Sequence, residues 1–370
     1  PLHVTQVIAF VLPLAWSPMA VPEGIRSVST EWLTEALGVG GPGSNASVTS
    51  FRAERVGEEQ GWTGELARIE ISYSEYVEGA PSSVIAKFSP PDPDHVFSLH
   101  EVRFYQEIAA GKDFSVPYCH YGEVDPENGA AVLLLEDLSR LRTVRFLDGC
   151  TPKEAEAAVM ALARIHAAWW GDEALESMGW LLTIAETGFS GWWTRYPNKI
   201  KTILPEFEIS RGLMEFGDLF ATDMPLILDR IEGAPFTCVH RDIHLDNLLF
   251  GSQPDDPSAV LIDWQTTGRG KGISDVAYLL ISSLSPQDRR RSERRLVDLY
   301  HRYLISSGVE GYTLDQCWSD YIVSAASKLF ITVKATVHFN NMSDHRRAWR
   351  AADLHRLMAF IDDHNPINEL

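Results

Sequence analysis

Basic side chains are scarce in this sequence. Lysine and arginine total 32 residues against 51 aspartates and glutamates, so the formal net charge over 370 residues is −19 at pH 7. Binding to the phosphate backbone of a nucleic acid requires a basic surface, so this balance argues against nucleic acid as the main partner. It is compatible with a cationic small substrate, although an acidic surface also serves solubility alone.

Cysteine is also rare. The four cysteines lie far apart and form no C-x-x-C pair; they are Cys119, Cys150, Cys238 and Cys317. The spacing of a zinc site is therefore absent, and a disulfide framework is not expected in a chain of this length. We predict buried free thiols in a reducing compartment, and hence a cytoplasmic protein.

Long apolar runs are missing too. The most apolar segment, VTQVIAFVLPLAW at residues 4–16, is interrupted by Pro13 and is too short to cross a membrane. It resembles the middle of a signal peptide without a basic leader, since the first lysine or arginine is Arg26. We assign residues 1–26 to an N-terminal apolar extension of open role that packs on the fold or on a partner, with export as the alternative. No membrane span is predicted.

The remaining composition, 45% hydrophobic and 22% charged, is that of a soluble globular protein long enough for two domains. Residues 27–138 show strand-like runs around a glycine-bearing turn and one helical pattern. Residues 139–370 are mostly helical in pattern, and an early helix has a capping box from Thr151 to Glu154 with Pro152 at its first position. We predict an α+β chain with a small β-rich N-terminal lobe and a larger, mostly helical C-terminal lobe.

One segment carries charged groups between core-like flanks. In VHRDIHLDNLLF, residues 239–250, Asp242 and Asn247 stand in D-x-x-x-x-N spacing after His-Arg. Asp263 directly follows the apolar run AVLI, thirteen positions after this segment ends. Phosphoryl transfer needs a carboxylate to orient a hydroxyl and oxygen ligands for magnesium, and both could come from here. A structural hydrogen-bond network without catalysis is the alternative.

Together, HRDIHLDNLLF and LIDWQ resemble the aminoglycoside phosphotransferase and choline kinase superfamily, small-molecule relatives of the protein kinases. The segments LLLEDL, LARIHAAWW and GRGKGISDVAYLL resemble its ecdysteroid-kinase-like branch more closely. The resemblance runs from about residue 50 to about residue 290. It implies a bilobal protein-kinase-like fold and a kinase that transfers the γ-phosphate of ATP to a hydroxyl of a small acceptor, with Mg²⁺ as cofactor.

The resemblance also implies roles for particular residues. Asp242 would be the catalytic base that orients the acceptor hydroxyl, and Asn247 and Asp263 would hold magnesium. Lys87, in VIAKF, would bind the α- and β-phosphates, unless it is a solvated lysine at a strand end. Glu101 is the expected partner of Lys87.

Glu107, on the same helical pattern, is the alternative partner of Lys87. The phosphate-covering turn is assigned to RVGEEQGWTGEL, whose Gly57, Gly61 and Gly64 would let backbone N–H groups approach the nucleotide. Their spacing departs from G-x-G-x-x-G, and a plain hairpin turn is the alternative. The segment Leu135–Leu138 resembles the hinge whose backbone binds adenine, with Glu136 and Leu138 as its nucleotide-binding residues. Solvated charges at Glu136 and Asp137 are the other interpretation.

Several further side chains have two interpretations. Asp275 is assigned, with Ser274, to the cap of a helix that begins near Val276, and His166 to the interior of a helix rather than to a metal site. His244 either steadies Asp242 or touches the acceptor. A group of aromatic side chains belongs either to the acceptor pocket or to the core, namely Trp192, Trp193, Tyr196 and Phe339.

Other classes of protein explain less of the sequence. Only twelve positions separate Asp263 from Asp275 and no A-P-E triplet follows, which leaves little room for the peptide-docking segment of a protein kinase. A nucleotide-binding pseudokinase or scaffold remains the main alternative. A hydrolase or transferase of another fold using Asp242 and Asp263 as paired carboxylates would leave Lys87 and Glu101 unexplained. The expected partner is a small-molecule hydroxyl acceptor, and the sequence indicates neither its identity nor an oligomeric state.

Overall fold

The chain divides into two compact units in a computed structural model that describes residues 20–39, 45–56, 64–91, 96–187, 192–253, 256, 258–338 and 342–370. The first unit comprises Pro1–Asp113 and Tyr118–Asp137. The second comprises Phe114–Pro117 and Leu138–Leu370. The first is rich in strand and the second in helix, which confirms the predicted α+β class.

A five-stranded sheet, with neighbours in the order β1-β2-β3-β5-β4 and all pairs antiparallel, forms most of the first unit. The helix α2 runs on into a π-helical turn, Phe104–Ile108. The elements of this unit are α1 (Thr30–Ala36), β1 (Val48–Arg55), β2 (Glu65–Tyr73), β3 (Ser83–Ser89), α2 (Val96–Arg103), β4 (Cys119–Val124) and β5 (Ala131–Glu136).

The strand β3 alternates between buried and half-buried side chains. Val84, Ala86 and Phe88 are buried in the core of the first unit, whereas the residues between them are half-buried. Since side chains alternate between the two faces of a strand, Lys87 lies on the face opposite this core. The pattern of the strand thus places a lysine on the other side of the sheet.

Helices dominate the second unit, together with two small antiparallel sheets that pair β6 with β9 and β7 with β8. The strands are β6 (Thr237–Val239), β7 (Leu248–Phe250), β8 (Ala259–Leu261) and β9 (Gly268–Gly270). The helices are α3 (Pro152–Ala168), α4 (Ala174–Ser177), α5 (Trp192–Ile203), α6 (Arg211–Thr222), α7 (Met224–Glu232), α8 (Ile273–Ser283), α9 (Pro286–Ser306), α10 (Leu314–Val323), α11 (Ala325–His338) and α12 (Asp344–His364).

The start of α3 has the capping box that the sequence predicts. Glu154 N donates to the hydroxyl of Thr151 at 3.3 Å, and Thr151 N donates to the Glu154 carboxylate at 2.8 Å. Pro152 is the first residue of the helix, where its missing N–H leaves no intrahelical bond unmade. Local sequence therefore fixes where this helix begins.

The helix α8 forms the centre of the second unit. All of its residues except Ser274 are buried, and it packs against α3, α10, α11 and α12. A helix that is buried on all of its faces is stable only when other elements surround it. Any polar side chain on α8 is therefore held in a fixed, dry environment.

The apolar extension lies mostly outside the described residues, from which positions 1–19 are missing. Its last part packs on the first unit, because Val21 and Ile25 contact the core and Ile25 N donates to Glu65 at 2.9 Å. No helix in the described part of the chain is long and apolar enough to cross a membrane. The four cysteines are all free thiols.

We predict that Gly217→Ala destabilises the second unit. An added Cβ would overlap the ring of Trp193, whose indole N–H is held by Asp218 at 2.9 Å. Overpacking of this kind costs about 1–3 kcal/mol, which exceeds the roughly 1 kcal/mol that alanine gains over glycine in a helix. The midpoint of urea unfolding measures the difference. Gly179→Ala is the control, since nothing lies within 4 Å of its added Cβ; equal stability of both variants would contradict the prediction.

Candidate active site

The first unit contains a buried ion pair between Lys87 on β3 and Glu101 on α2. The Lys87 Nζ lies 2.6 Å from the Glu101 carboxylate, and the two side chains are 17% and 4% exposed. Glu107 instead faces Arg103 at 3.7 Å. The structure therefore pairs Lys87 with Glu101, and it contradicts the interpretation of Lys87 as a solvated lysine.

Gly64 has a local reason to be glycine. Its φ is +96°, and an added Cβ would overlap the carbonyl oxygen of Phe88 on the neighbouring strand. Only glycine meets both conditions readily. Gly57 and Gly61 lie outside the described residues, so the phosphate-covering role of this turn stays a prediction.

The end of β5 carries two acidic side chains in different settings. The Glu136 carboxylate accepts a weak hydrogen bond from Tyr118 N at 3.4 Å. Asp137 is almost buried and accepts from Arg68 Nε and Ser83 Oγ, each at 2.6 Å. Asp137 is thus a structural ion-pair partner rather than a solvated charge. Leu138, the first residue after it, is buried.

A buried carboxylate holds the loop that follows β6 in the second unit. Asp275 Oδ2 accepts from His240 N at 2.6 Å, and Oδ1 accepts from Arg241 N at 2.9 Å. The predicted cap role of Asp275 with Ser274 is wrong, because α8 begins earlier, after Gly272, and has no side-chain cap. The carboxylate turns into the core and binds another segment instead of its own helix end.

His166 supports this carboxylate from α3. Its Nε2 lies 3.3 Å from Asp275 Oδ2, and its Nδ1 lies 3.0 Å from the hydroxyl of Tyr300. The expectation of a helix histidine with satisfied nitrogens is confirmed. Burial alone would raise the pKa of Asp275, but the hydrogen bond and charge of His166, with those of His240, outweigh it and lower that pKa. Asp275 is therefore an ionised acceptor.

Arg241 and Asp263 have left-handed backbone conformations, with φ of 67° and 66°. Such conformations in non-glycine residues cost about 1–3 kcal/mol and persist where the surroundings hold them. The Arg241 guanidinium donates to the carbonyls of Leu182 at 2.6 Å and Arg269 at 2.9 Å. An added Cβ at Gly268 would collide with this guanidinium, so the glycine of β9 leaves room for it.

Asp242 projects from this loop with one carboxylate oxygen engaged. Oδ1 accepts from the hydroxyl of Tyr278 at 2.9 Å and lies 3.6 Å from His244 Nε2. Burial would raise the pKa of Asp242, but the charges of His244 and His240 and the hydrogen bonds from His244 and Tyr278 lower it well below its usual range. The group is ionised at neutral pH.

Asn247 and Asp263 are brought together by the pairing of β7 with β8. Leu248 pairs with Leu261, and the carbonyl of Asn247 accepts from Ile262 N at 3.1 Å. Asn247 Nδ2 donates to the carbonyl of Asp242 at 2.9 Å, which commits the amide nitrogen and leaves the amide oxygen for another partner. The three residues predicted from the motif are therefore neighbours in the structure.

These oxygens suit magnesium. A carboxylate and an amide oxygen are hard donors, and Mg²⁺ is commonly held by one or two carboxylates together with substrate phosphates. Within the described ranges no group of three or more His, Cys, Asp or Glu side chains could hold a metal ion by itself. Asn247 and Asp263 offer donor atoms of the kind that Mg²⁺ accepts.

Residues 68–312 match the family model of the phosphotransferase enzyme family. The chain belongs to this family. The predicted superfamily is thereby confirmed, whereas the ecdysteroid-kinase-like branch stays a prediction.

A curated relative of this phosphotransferase family member has low sequence identity to it. An uncharacterized kinase-like protein of Caenorhabditis elegans is 21% identical over 247 residues, which are 60% of this chain and 61% of that protein. The chain thus spans about three fifths of the length of the curated relative it matches.

Three solved structures share the fold. Choline kinase from Cryptosporidium parvum has a TM-score of 0.51 at 11% identity, covering 86% of this chain and 92% of that one. Ethanolamine kinase of Plasmodium vivax has a TM-score of 0.50 at 13% identity, covering 91% and 89%. An aminoglycoside 2′-phosphotransferase IIIa mutant in complex with GDP has a TM-score of 0.50 at 12% identity, covering 87% and 94%.

Two of the aromatic residues considered for the acceptor pocket belong to the core. Trp193 and Tyr196 on α5 are buried and stack with ring centroids 5.4 Å apart. Phe339 and the side chain of Trp192 lie outside the described part. A different aromatic group lies beside the loop of residues 239–250, where Trp349 stacks on Phe146 with centroids 4.0 Å apart.

The sequence interpretation missed Trp349 and Tyr278. The Trp349 indole N–H donates to Asp246 at 2.9 Å, and the ring meets His244 edge-on. Trp349 lies far along the chain on α12, and no local pattern connects it to the loop. Tyr278 follows Asp275 by three positions and so lies on the same side of α8, which is the one signal that could have revealed it.

We predict that Asp275→Asn weakens both stability and phosphotransfer. The variant removes the buried charge. It also places an N–H₂ donor against the backbone N–H of His240 or Arg241, so that one of these two hydrogen bonds is lost. Hydrogen bonds to charged groups contribute about 1.5–3 kcal/mol each, so a loss of about 3 kcal/mol in the free energy of unfolding is expected. Urea unfolding followed by tryptophan fluorescence measures it.

Asp344→Asn, on an almost fully exposed carboxylate, is the control and should unfold like the wild type. Because the folded pKa of Asp275 is lowered, its stabilisation is present above the pKa of an unfolded aspartate and is lost as pH falls through the folded pKa. The variant should therefore lose less stability than the wild type on acidification. A parallel decline of both proteins would contradict the assignment of Asp275 as an ionised acceptor.

Proposed function

We propose that this protein is a magnesium-dependent kinase that transfers the γ-phosphate of ATP to a hydroxyl group of a small molecule. The observation that carries the proposal is the grouping of an ionised Asp242 with Asn247 and Asp263 on one loop and hairpin. Membership of the phosphotransferase enzyme family supports it.

On the donor side, Lys87 would bind the α- and β-phosphates. Its buried pairing with Glu101 fixes the ammonium group in place, as an electrostatic clamp on phosphate requires. The glycine turn that ends at Gly64 would cover the phosphates, and the backbone of residues 136–138 would bind the base. A structural neighbour solved with GDP supports a nucleotide donor.

On the transfer side, Asn247 and Asp263 would hold Mg²⁺, which neutralises charge on the phosphates when it is bound. Asp242 would orient the acceptor hydroxyl toward the γ-phosphorus. Its lowered pKa makes it a weak base but a permanent hydrogen-bond acceptor. That suits phosphoryl transfer, because positioning contributes more than proton removal in a loose transition state.

A pseudokinase that binds nucleotide without chemistry is the competing proposal. It accounts for Lys87 and Glu101 but gives no reason for an ionised carboxylate held by Tyr278 beside two metal-ligand candidates. A hydrolase with paired carboxylates accounts for neither the Lys87 pair nor the family. The kinase proposal explains all of these groups at once.

Asp242→Asn should fold and bind MgATP but lose turnover by about 100-fold or more, because the neutral amide is a weaker hydrogen-bond acceptor and cannot orient the acceptor hydroxyl as the carboxylate does. ADP release is measured against aminoglycosides, choline, ethanolamine, sterols and sugars. Asp246→Asn is the matched control, since it makes the same change on the same loop at a more exposed carboxylate. Full turnover by Asp242→Asn would remove Asp242 from the mechanism, and MgATP binding without turnover of any acceptor by the wild type would favour the pseudokinase.

Asp263→Ala should remove the magnesium dependence of nucleotide binding. Titration calorimetry compares MgATP with ATP in EDTA, and the variant should bind both with the weak affinity that the wild type shows in EDTA. Asp256→Ala is the control, because that aspartate lies in the same hairpin and its carboxylate accepts a hydrogen bond from Ser258 N. Wild-type affinity of Asp263→Ala for MgATP would show that other residues hold the metal.

A further inference from the structure

Tyr278 contacts the carboxylate at the centre of the candidate site from a different element. Its ring is buried in α8, and its hydroxyl donates to Asp242 Oδ1 at 2.9 Å. Because α8 packs on all sides against other helices, the phenol has a fixed position. The contact therefore joins the carboxylate of Asp242 to a buried helix that other helices surround.

A buried cation, the ammonium group of Lys328, lies over the face of the Tyr278 ring. Lys328 Nζ on α11 lies 4.1 Å from the ring centroid of Tyr278 and 2.8 Å from Asp353. Two further residues complete this polar cluster. Lys328 Nζ donates to the hydroxyl of Thr332 at 3.1 Å, and the Arg350 guanidinium lies 3.3 Å from the Asp353 carboxylate. A cation over an aromatic face is attracted to the ring and holds its position. The cluster thus orients Tyr278.

The two carboxylate oxygens of Asp242 differ in their contacts with the protein. Oδ1 takes the hydrogen bond from Tyr278 and faces His244 at 3.6 Å. Among the described residues no hydrogen bond ends on Oδ2. The backbone of Asp242 is fixed by Asn247 through its carbonyl. One oxygen is thus held by the protein, and the other is left to a partner from outside.

We infer that Tyr278 is a positioning residue that holds Oδ1 of Asp242, so that Oδ2 receives the acceptor hydroxyl. The inference rests on the proposed kinase function. In the transfer step the acceptor oxygen bonds to the γ-phosphorus while the bond to the β,γ-bridging oxygen breaks. ADP leaves with that electron pair, and the acceptor proton passes to Oδ2. Without Tyr278 the carboxylate rotates, and its free oxygen no longer points in one direction.

Tyr278→Phe tests this role because it removes only the hydroxyl. We expect kcat to fall about 10- to 100-fold, the equivalent of one hydrogen bond to a charged group, with KM for MgATP unchanged. The acceptor is the most active compound of the hydroxyl panel, or water in MgATP hydrolysis if the panel is silent. Tyr321→Phe is the matched control, since its buried hydroxyl bonds the Glu293 carboxylate at 3.0 Å, away from Asp242. An unchanged kcat in Tyr278→Phe, or equal losses in both variants, would overturn the inference.

The double variant Asp242→Asn/Tyr278→Phe separates positioning from a general effect on folding. If Tyr278 acts through the Asp242 carboxylate, the double variant keeps the residual kcat of Asp242→Asn. Losses that multiply would show that Tyr278 acts elsewhere. The proposed function fails separately, when the wild type transfers no phosphate to any acceptor or to water, or when Asp242→Asn is fully active.

Discussion

The second unit depends on one buried carboxylate. Asp275 lies in the dry interior of the unit, and an ionised group there is tolerated only when hydrogen bonds replace its lost water. His240 N, Arg241 N and His166 supply those bonds. The same hydrogen bonds tie the loop, with its left-handed turn at Arg241, to the buried helix. The need of the Asp275 carboxylate for hydrogen bonds therefore contributes both to the stability of the core and to the geometry of the candidate site.

Short-range patterns predicted much of this molecule. The capping box at Thr151, the apolar run VIAKF that carries Lys87, and the D-x-x-x-x-N spacing each depend on neighbours within a few positions. Glu101 could be preferred over Glu107 because residues on a helix have fixed angular positions. Such features follow from backbone geometry, which the sequence specifies locally.

Long-range packing decided the rest. A serine and an aspartate beside an apolar run locally favour a helix cap, but burial of α8 turned Asp275 toward the loop. Nothing near Tyr278 in the sequence indicates Lys328 or Asp242, since three different elements meet there. By sequence alone, the aromatic residues of α5 could belong to a core or to a pocket. The packing of α6 against α5 places Trp193 in the core. Each of these outcomes depends on which elements become neighbours.

The pairing of β7 with β8 has a practical consequence. Asn247 and Asp263 are far apart in the chain but adjacent through the ladder, since Leu248 faces Leu261 and Asn247 binds Ile262. The distance between them is thus set by strand register and not by the number of residues in the segment that joins the strands. An epitope or a fluorescent reporter peptide inserted into that segment is therefore expected to leave the distance between Asn247 and Asp263 unchanged.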